Sequence, residues 1–317
     1  MLEFIKSPLN YTGNKYRILP QITKYFPQKI DTMVDLFCGG ATVGLNVECN
    51  KIIFVDSNKR VIGLLVYLSK QKFEPLIENI EKLIDEYNLS NSYKEGYSGY
   101  RVQCSNRKDN NGLKDYNQEG YYRLREDYNN LEDKDSDKAN LMLYTLMVYA
   151  FNNDIRFNSE GKFNLPIGKT DLNKNNVNKL KEYIQRVSEI NAEFVCADFG
   201  SKKLKNIVEK ADFIYMDPPY LVGDAVYNAS WTNKEEYMLL DLIDYFIETN
   251  KNFALSNVMA KVGKTNEPLA YWCHKNEALI DIHDIEYNYR SASYNKINRN
   301  AKEREVLIVN KRKKDED

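Results

Sequence analysis

Two short runs of β-branched and aromatic residues, joined through a glycine turn, constrain the fold of this chain most strongly. The first run is "TMVDLF" (32–37) and the second is "KIIFVD" (51–56). Gly39 and Gly40 follow the first run, and the residues after them predict a helix that leads to the second. A strand, a helix and a strand in that order are typical of a βαβ unit, whose two strands lie parallel in one sheet.

Similar runs return in the last third of the chain. They are "EFVCAD" (193–198), "ADFIYMD" (211–217), "NFALSN" (252–257), "ALIDIHD" (278–284) and "REVLIVN" (304–310). Each is short and rich in apolar or aromatic residues, which indicates buried strands. We therefore predict an α/β fold with a doubly wound, mostly parallel sheet.

The middle of the chain has a helical period instead. Apolar residues recur at helical spacing in 73–89, 138–151 and 175–190, while 88–120 is rich in polar and turn-forming residues and predicts a long surface loop or a partly ordered excursion. A helical insert thus interrupts the sheet. We predict one domain from residues 1–63 and 192–317 and a second, mainly helical domain from residues 64–191.

Composition narrows the class of protein. The net charge of −1 requires that any nucleic-acid partner be bound by a local basic surface. The five cysteines are scattered, with no C-x-x-C pair, as expected for reduced thiols in a cytoplasmic protein. With only two histidines, we predict neither a metal site nor a Ser-His-Asp triad. The longest apolar run, "VIGLLVYL" (61–68), is too short to span a membrane, so we expect no membrane partner.

The glycine turn and the second strand suggest a nucleoside ligand. In "VDLFCGGATVGLN" (34–46) the strand carries Asp35 and Phe37 to the turn at Gly39, and Asp56 ends the following strand. Glycines allow a close approach of backbone to ligand, and an acid at the second strand can bind ribose hydroxyls. The alternative is a glycine turn that only connects two elements. The G-x-G-x-x-G pattern of dinucleotide oxidoreductases is absent.

A second motif, "DPPY" (217–220), follows the strand-like run "DFIYM". Pro218 and Pro219 end the strand and restrict the backbone, so Asp217 and Tyr220 are presented with little conformational freedom. A carboxylate acceptor beside an aromatic ring suits a planar base that carries an exocyclic amine. The alternative is an Asp-Pro turn with a buried tyrosine.

A third motif lies near the start of the chain, in "SPLNYTGNKYRILPQI" (7–22). Tyr11 and Lys15 precede a short amphipathic helix. Lys15 can bind a carboxylate ligand and Tyr11 can pack on one. Taken alone, two such residues are more often a surface lysine and a core tyrosine.

Together these motifs resemble the Dam-type DNA adenine-N6 methyltransferases, the D12 class, and most closely their phage branch. The matching stretches follow the family order and cover nearly the whole chain: "YTGNKYRILP", "VDLFCGGATVGLNV", "LREDYN", "FNNDIRFNSEGKFNLPIGK", "DFIYMDPPY" and "FALSNV". The resemblance implies a Rossmann-like methyltransferase sheet, a target-recognition insert and S-adenosylmethionine as cofactor, with S-adenosylhomocysteine as product.

The resemblance also implies roles for particular residues. The implied catalytic positions are Asp217, Pro218, Pro219 and Tyr220, which hold a flipped adenine. The implied cofactor positions are Tyr11, Lys15, Asp35, Phe37, Gly39, Asp56, Asp198, Phe199 and Asp217. The implied DNA contacts are Arg125, Phe151, Asn152, Arg156 and Lys169, with Phe151 as the aromatic that intercalates into the stack.

The implied substrate is double-stranded DNA, and the usual target of the family is adenine in GATC. Thr170 stands where close relatives carry a second basic residue, which leaves the recognition sequence open. Further phosphate contacts are expected from basic residues in two segments: Arg123 and Lys162, and then Arg290, Lys296, Arg299, Lys302 and Arg304. We expect the protein to act on DNA as a monomer or weak dimer. A cognate restriction endonuclease is a possible partner protein.

Three alternatives stay open at the level of sequence. One is a methyltransferase for RNA adenine, and another is one for cytosine-N4 in DNA, because the catalytic motif alone does not distinguish these amines. The third is a DNA-binding regulator that has the fold without the activity.

Overall fold

A computed structural model describes residues 4–11, 13–104, 110–222, 231–261, 263–286 and 303–311. The chain packs into two compact units. The helical unit comprises Met1–Asn14, Gly39–Leu45 and Asn58–Ile190, and the sheet unit comprises Lys15–Cys38, Asn46–Ser57 and Asn191–Asp317. The division into a catalytic and a target-recognition domain, with boundaries near 63 and 192, stays a prediction about function.

The sheet unit is built on one sheet whose strand order is β3-β2-β1-β4-β5-β8-β7, with β6 paired to β5. The strands are β1 (Thr32–Leu36), β2 (Lys51–Asp56), β3 (Ala192–Cys196), β4 (Phe213–Met216), β5 (Asn252–Lys261), β6 (Lys264–Thr265), β7 (Ile280–Ile285) and β8 (Arg304–Asn310). Strands β3, β2, β1, β4 and β5 run parallel, whereas β8 pairs antiparallel with β5 and β7. The predicted α/β fold with a mostly parallel sheet is confirmed.

Both faces of this sheet are covered within the sheet unit. On one face, Ile214, Met216 and Leu255 belong to a core shared with helices α9 (Lys202–Val208), α10 (Asn233–Glu248) and α11 (Glu267–Lys275). On the other face, the ring of Phe26 lies 4.8 Å from Phe213 and 5.6 Å from Tyr215. Phe26 follows the short helix α1 (Leu19–Ile22), so the segment that begins at Lys15 covers this second face.

The helical unit contains seven helices within its described residues. They are α2 (Lys59–Ser69), α3 (Phe73–Glu86), α4 (Ser92–Glu95), α5 (Tyr97–Arg101), α6 (Lys114–Asn130), α7 (Asp137–Tyr149) and α8 (Lys174–Glu189). The amphipathic helices predicted for α3 and α8 and the buried helix predicted for α7 are confirmed. No helix in the described part of the chain is both long and apolar enough to cross a membrane.

One prediction of local structure was wrong. The segment after Gly39 forms turns and a single 3₁₀ turn at Gly44–Asn46 in place of the predicted helix. Positive φ angles at Phe37 (63°), Gly39 (47°) and Ala41 (64°) place this backbone in the left-handed region, which an α-helix does not tolerate. The described part of the segment 88–120 contains α4, α5 and the start of α6, so the partly ordered alternative fits and one long loop does not.

Candidate active site

The sharp corner after β4 presents Asp217 to two partners. The Lys15 ammonium lies 2.7 Å from Asp217 Oδ2, and the Tyr220 hydroxyl donates to Asp217 Oδ1 at 2.8 Å. Lys15 is almost fully buried, and its Nζ lies 5.2 Å from the centre of the Tyr220 ring. The predicted catalytic acid, the predicted tyrosine and the predicted lysine therefore form one cluster in the sheet unit.

Tyr220 is held as a neutral phenol in this cluster. Burial and then the Asp217 carboxylate raise the pKa of Tyr220 well above its ordinary value. Pro218 is buried and Pro219 is half-buried between the two polar residues. Because each proline fixes φ, the spacing of carboxylate and ring is determined largely by covalent geometry.

The two predicted nucleoside acids, Asp35 and Asp56, lie on the neighbouring strands β1 and β2. Both are buried, with 2% and 9% of their surface exposed. Burial, followed by the carboxylates of Asp56 and Asp35, raises the pKa of the Cys38 thiol well above its ordinary value. Both carboxylates thus act on Cys38 at the carboxyl ends of two parallel strands. That edge of a sheet is where ligands bind in folds of this class.

An aromatic cluster adjoins these acids in the sheet unit. The ring of Phe37 lies 5.4 Å from Phe199 and 5.7 Å from Trp231, and Phe199 lies 5.2 Å from Trp231. Trp231 was not predicted as a site residue. An aromatic ahead of the capping-box sequence Thr232–Glu235 was the only signal that could have found it.

The Trp231 indole is anchored by a buried acid, Glu236. Glu236 has no exposed surface and accepts a hydrogen bond from Trp231 Nε1 at 2.6 Å and from Asn266 Nδ2 at 2.7 Å. Burial raises the pKa of Glu236, and the hydrogen bonds from Trp231 and Asn266 oppose that rise. The tryptophan is therefore fixed in orientation by polar contacts that its sequence position does not predict.

Asp198 is bound within its own turn. Its Oδ1 accepts a hydrogen bond from Gly200 N at 2.8 Å, and its carbonyl oxygen accepts one from Ser201 Oγ at 2.6 Å. Ser201 in turn caps helix α9. These contacts fix the turn that carries Phe199, and the cofactor role of Asp198 stays a prediction.

Two predicted cofactor residues, Tyr11 and Gly39, are in contact in the helical unit. A Cβ atom on Gly39 would lie 2.7 Å from Cδ1 of Tyr11, well inside contact distance. Gly39 also has a positive φ of 47°. Both observations require glycine at this position, because the Tyr11 ring leaves no room for a Cβ atom and because the backbone is left-handed.

The predicted DNA-contacting segment begins in an irregular turn after α7. Asn152 and Asn153 adopt positive φ angles of 58° and 53°, and Phe151 is 48% exposed. The backbone of Phe151 donates to the Pro166 carbonyl at 2.9 Å. The side-chain amide of Asn153 donates to the Val148 carbonyl, which holds the turn. An aromatic of this size that is half exposed is available to a partner.

The basic residues of this segment differ in their exposure. Arg156 is exposed, and its Nε donates to Asn164 Oδ1 at 2.9 Å. Lys169 is exposed too, while its carbonyl accepts from Leu113 N at 2.9 Å. Arg125 is half-buried, with Nη1 donating to the Leu165 carbonyl at 3.1 Å. Arg125 thus also braces the segment that carries the other two.

Four members of the second predicted basic segment, Arg290, Lys296, Arg299 and Lys302, lie outside the described residues. Among the described residues, no group of three or more His, Cys, Asp or Glu side chains is arranged to hold a metal ion.

The chain matches a protein family described as D12 class N6 adenine-specific DNA methyltransferase over residues 11–291. It is 36% identical to the type II methyltransferase M.FokI of Planomicrobium okeanokoites over 315 residues, which covers 97% of this chain and 43% of the relative. It is 33% identical to the modification methylase StsI of Streptococcus sanguinis, again over 97% of this chain and 43% of the relative. A DNA adenine methylase of Salmonella typhi is 30% identical, over 71% of this chain and 69% of the relative. The chain therefore spans less than half the length of M.FokI and StsI.

Proposed function

From the premise that this chain belongs to the D12 class of N6 adenine-specific DNA methyltransferases, we propose that it transfers a methyl group from S-adenosylmethionine to the N6 atom of adenine at a specific site in double-stranded DNA. The observation that carries the proposal is the cluster of Lys15, Asp217 and Tyr220 after β4. The corner offers a carboxylate, a backbone carbonyl and an aromatic ring to a planar amine.

The Asp217 carboxylate has acceptor positions left for hydrogen bonds from the substrate. Each oxygen of the Asp217 carboxylate takes one hydrogen bond, from Lys15 or from Tyr220, and each has a second lone pair. Asp217 and the Pro218 carbonyl would accept the two N6 hydrogens, which directs the nitrogen lone pair toward the methyl donor. Tyr220 would stack on the base. Positioning of this kind can contribute about 7–11 kcal/mol to the acceleration.

The buried acids and the aromatic cluster of the sheet unit fit a nucleoside cofactor. Asp35 and Asp56 are acceptors suited to ribose and amino groups, and Phe37 and Phe199 offer ring faces to an adenine. When bound, S-adenosylmethionine supplies an electrophilic methyl group on sulfur, and S-adenosylhomocysteine is its product. The proposed cofactor residues also include Tyr11, Lys15, Gly39 and Asp198, on the strength of the resemblance.

The target adenine has to leave the duplex, since its N6 atom is otherwise paired. Flipping a base costs a few kcal/mol, and an inserted aromatic can offset part of that cost by replacing the lost stacking. The half-exposed Phe151 is the proposed wedge. Asn152 and Arg156 are the proposed base readers, while Lys169 and Arg125 are proposed to contact the backbone.

GATC is the first target to test, because it is the usual site of the family. The names of M.FokI and StsI, a type II methyltransferase and a modification methylase, support the further proposal of a cognate restriction endonuclease. We propose a monomer or weak dimer on DNA.

The test is methylation of a duplex library of defined sequence with S-adenosylmethionine, followed by sequencing that reports modified bases. N6-methyladenine within one short motif is the expected product. Methylcytosine, or methylation of RNA alone, would contradict the assignment of substrate. Sequence-specific binding without methylation by the intact protein would instead favour the regulator.

Asp217→Ala tests the catalytic corner. We expect the rate of methyl transfer to fall by roughly 10²–10³-fold, as for other lost preorganised hydrogen-bonding groups, with DNA affinity largely kept. Asp212→Ala is the matched control, because Asp212 is an exposed acid beside the opposite end of β4. Near-normal single-turnover rates in Asp217→Ala would contradict the role proposed for this carboxylate.

A further inference from the structure

Glu305 is a buried acid that the proposed reaction does not yet use. It lies in β8, opposite Val258 of β5 and Ile285 of β7, with 6% of its surface exposed. A carboxylate is rarely buried without a charged partner. Its surroundings indicate what that partner is.

The register of the sheet places Glu305 on the face that carries the catalytic corner. Tyr215 of β4 and Ser256 of β5 share a hydrogen bond of 2.8 Å between their hydroxyls, so their side chains lie on one face. Val258 is two residues beyond Ser256 and therefore lies on that face too, as does Glu305, its antiparallel partner. Asp217 is two residues beyond Tyr215, at the carboxyl end of β4.

Lys15 belongs to the segment that covers this face. Burial raises the pKa of Glu305 to about 7, the Lys15 ammonium opposes that rise, and the Asp217 carboxylate adds to it. Lys15 is therefore electrostatically coupled to two carboxylates, and it contacts Asp217 directly at 2.7 Å. The Lys15 ammonium therefore interacts electrostatically with two carboxylates on this face, Asp217 directly after β4 and Glu305 in β8.

We propose that Glu305 is a positioning residue that controls, through Lys15, how freely Asp217 can hold the substrate amine. With Glu305 protonated, Asp217 is the one of the two acids that attracts Lys15 as a carboxylate. With Glu305 ionised, Lys15 is shared between the two carboxylates, and Asp217 gains capacity for the N6 hydrogens. This inference rests on the proposed function, because it assigns a regulator to the same carboxylate.

The other charged and titratable groups around Glu305 are consistent with a Lys15 ammonium that interacts with both carboxylates. They are Lys15, Asp217, Tyr215 and Tyr220, together with the ion pair of Lys261 and Glu303. The phenols of Tyr215 and Tyr220 have pKa values raised well above the ordinary value, chiefly by burial, so they remain neutral near pH 7. Lys261 and Glu303 lie 3.2 Å apart and largely compensate each other. Within this set, Glu305 is thus the group whose ionisation near pH 7 changes the charge around Lys15.

The first measurement is the single-turnover rate of methyl transfer as a function of pH, for the wild type and Glu305→Gln. Glutamine mimics the protonated acid. We expect the wild-type rate to rise with a midpoint near pH 7, and the Gln variant to stay about tenfold lower at about pH 8 while it matches the wild type at about pH 6. Glu305→Asp should restore the rise of the methyl-transfer rate with pH. Asp284→Asn is the control, because Asp284 is an exposed acid of the adjacent strand.

A second measurement does not depend on activity. The side-chain ammonium signal of Lys15, assigned through its loss in Lys15→Arg, is followed by nitrogen-15 NMR across the same pH range. We expect it to shift with a midpoint near pH 7 in the wild type and to stay constant in Glu305→Gln. A wild type without methyltransferase activity would refute the proposed function, while this signal would still report the coupling.

Two results would overturn the inference. One is an active wild type whose pH profile is unchanged by Glu305→Gln. The other is a Lys15 signal that shifts identically in the wild type and the Gln variant.

Discussion

The chemistry at the end of β4 depends on how one carboxylate divides its hydrogen bonds. Asp217 accepts from a buried ammonium and from a neutral phenol, one on each oxygen. The ion pair compensates the cost of placing a charge in a half-buried site, which an unpaired carboxylate would bear in full. The carboxylate that we propose as the acceptor for the substrate amine is thus stabilised by contacts within the protein itself.

A substitution at Gly39 tests the packing of this residue against the Tyr11 ring. Gly39→Ala adds a methyl group 2.7 Å from the Tyr11 ring and places alanine at a φ of 47°. We expect a loss of about 1–2 kcal/mol in the free energy of unfolding, together with weaker S-adenosylmethionine binding by calorimetry. Gly263→Ala is the matched control, with a φ of 76° and nothing within 4 Å of the added Cβ. If both variants lost the same free energy of unfolding, the loss would come from backbone strain and not from the contact with Tyr11.

Glu305 predicts a stability effect that is separate from catalysis. Its folded pKa of about 7 exceeds its ordinary value of 4.5, so the folded protein binds a proton that the unfolded chain releases. The stability due to this proton is complete below about pH 4.5 and is lost as the pH rises through about 7.

Relative to Glu305→Gln, the wild type should therefore lose up to about 3 kcal/mol between about pH 4.5 and about pH 8. Urea denaturation of both proteins across this range measures the difference, and the common titrations of other groups cancel. A constant difference across this range would contradict the raised pKa.

At the scale of elements, the predicted DNA-contacting segment depends on a buried polar network in the helical unit. Asp171 is 2% exposed and accepts from Ser90 Oγ at 2.8 Å, Ser92 N at 2.8 Å and Ser92 Oγ at 2.5 Å. Asn117 Oδ1 accepts a further hydrogen bond from the Ser90 backbone N–H at 2.7 Å. The network joins the start of α4 to the chain just beyond Lys169 and so fixes where the segment ends.

Asp171→Ala should therefore destabilise the protein strongly. Three donors lose their acceptor, and each buried unsatisfied group costs about 1–3 kcal/mol. Asp135→Ala is the control. Asp135 makes two ion pairs of 2.6 Å, with Lys59 and Arg60, but is exposed, so its loss should cost about 1 kcal/mol or less. Similar melting temperatures for the two variants would contradict the importance of burial here.

For the whole molecule, the proposed DNA binding cannot arise from overall charge, because the net charge is −1. Local cations have to supply it, which makes affinity depend on salt. Lys169→Ala should weaken binding for all sequences and reduce the slope of log affinity against log salt by about 1. Lys202→Ala, an exposed lysine at the start of α9, should leave the slope unchanged. Fluorescence anisotropy at several salt concentrations measures both, and equal slopes in the two variants would contradict the assignment of Lys169.

The amino-acid sequence by itself determined the features that depend on neighbouring residues. The strand runs, the amphipathic faces of α3 and α8, and the stiff corner at Asp217 follow from local periodicity and from the restricted backbone of proline. These patterns led to the fold class and to the resemblance on which most site residues rest. Where local rules competed, as in the turn after Gly39, the left-handed backbone prevailed over helical composition.

Only the tertiary structure decided which distant residues meet. The ion pair of Lys15 with Asp217, the hydrogen bond of Asn266 to Glu236 and the pairing of Glu305 with Val258 join segments far apart in the chain. No periodicity encodes such contacts, because they follow from strand order and register. The charge state of a buried acid depends in turn on those neighbours, so the coupling of Glu305 to Lys15 becomes visible only once the strands are aligned.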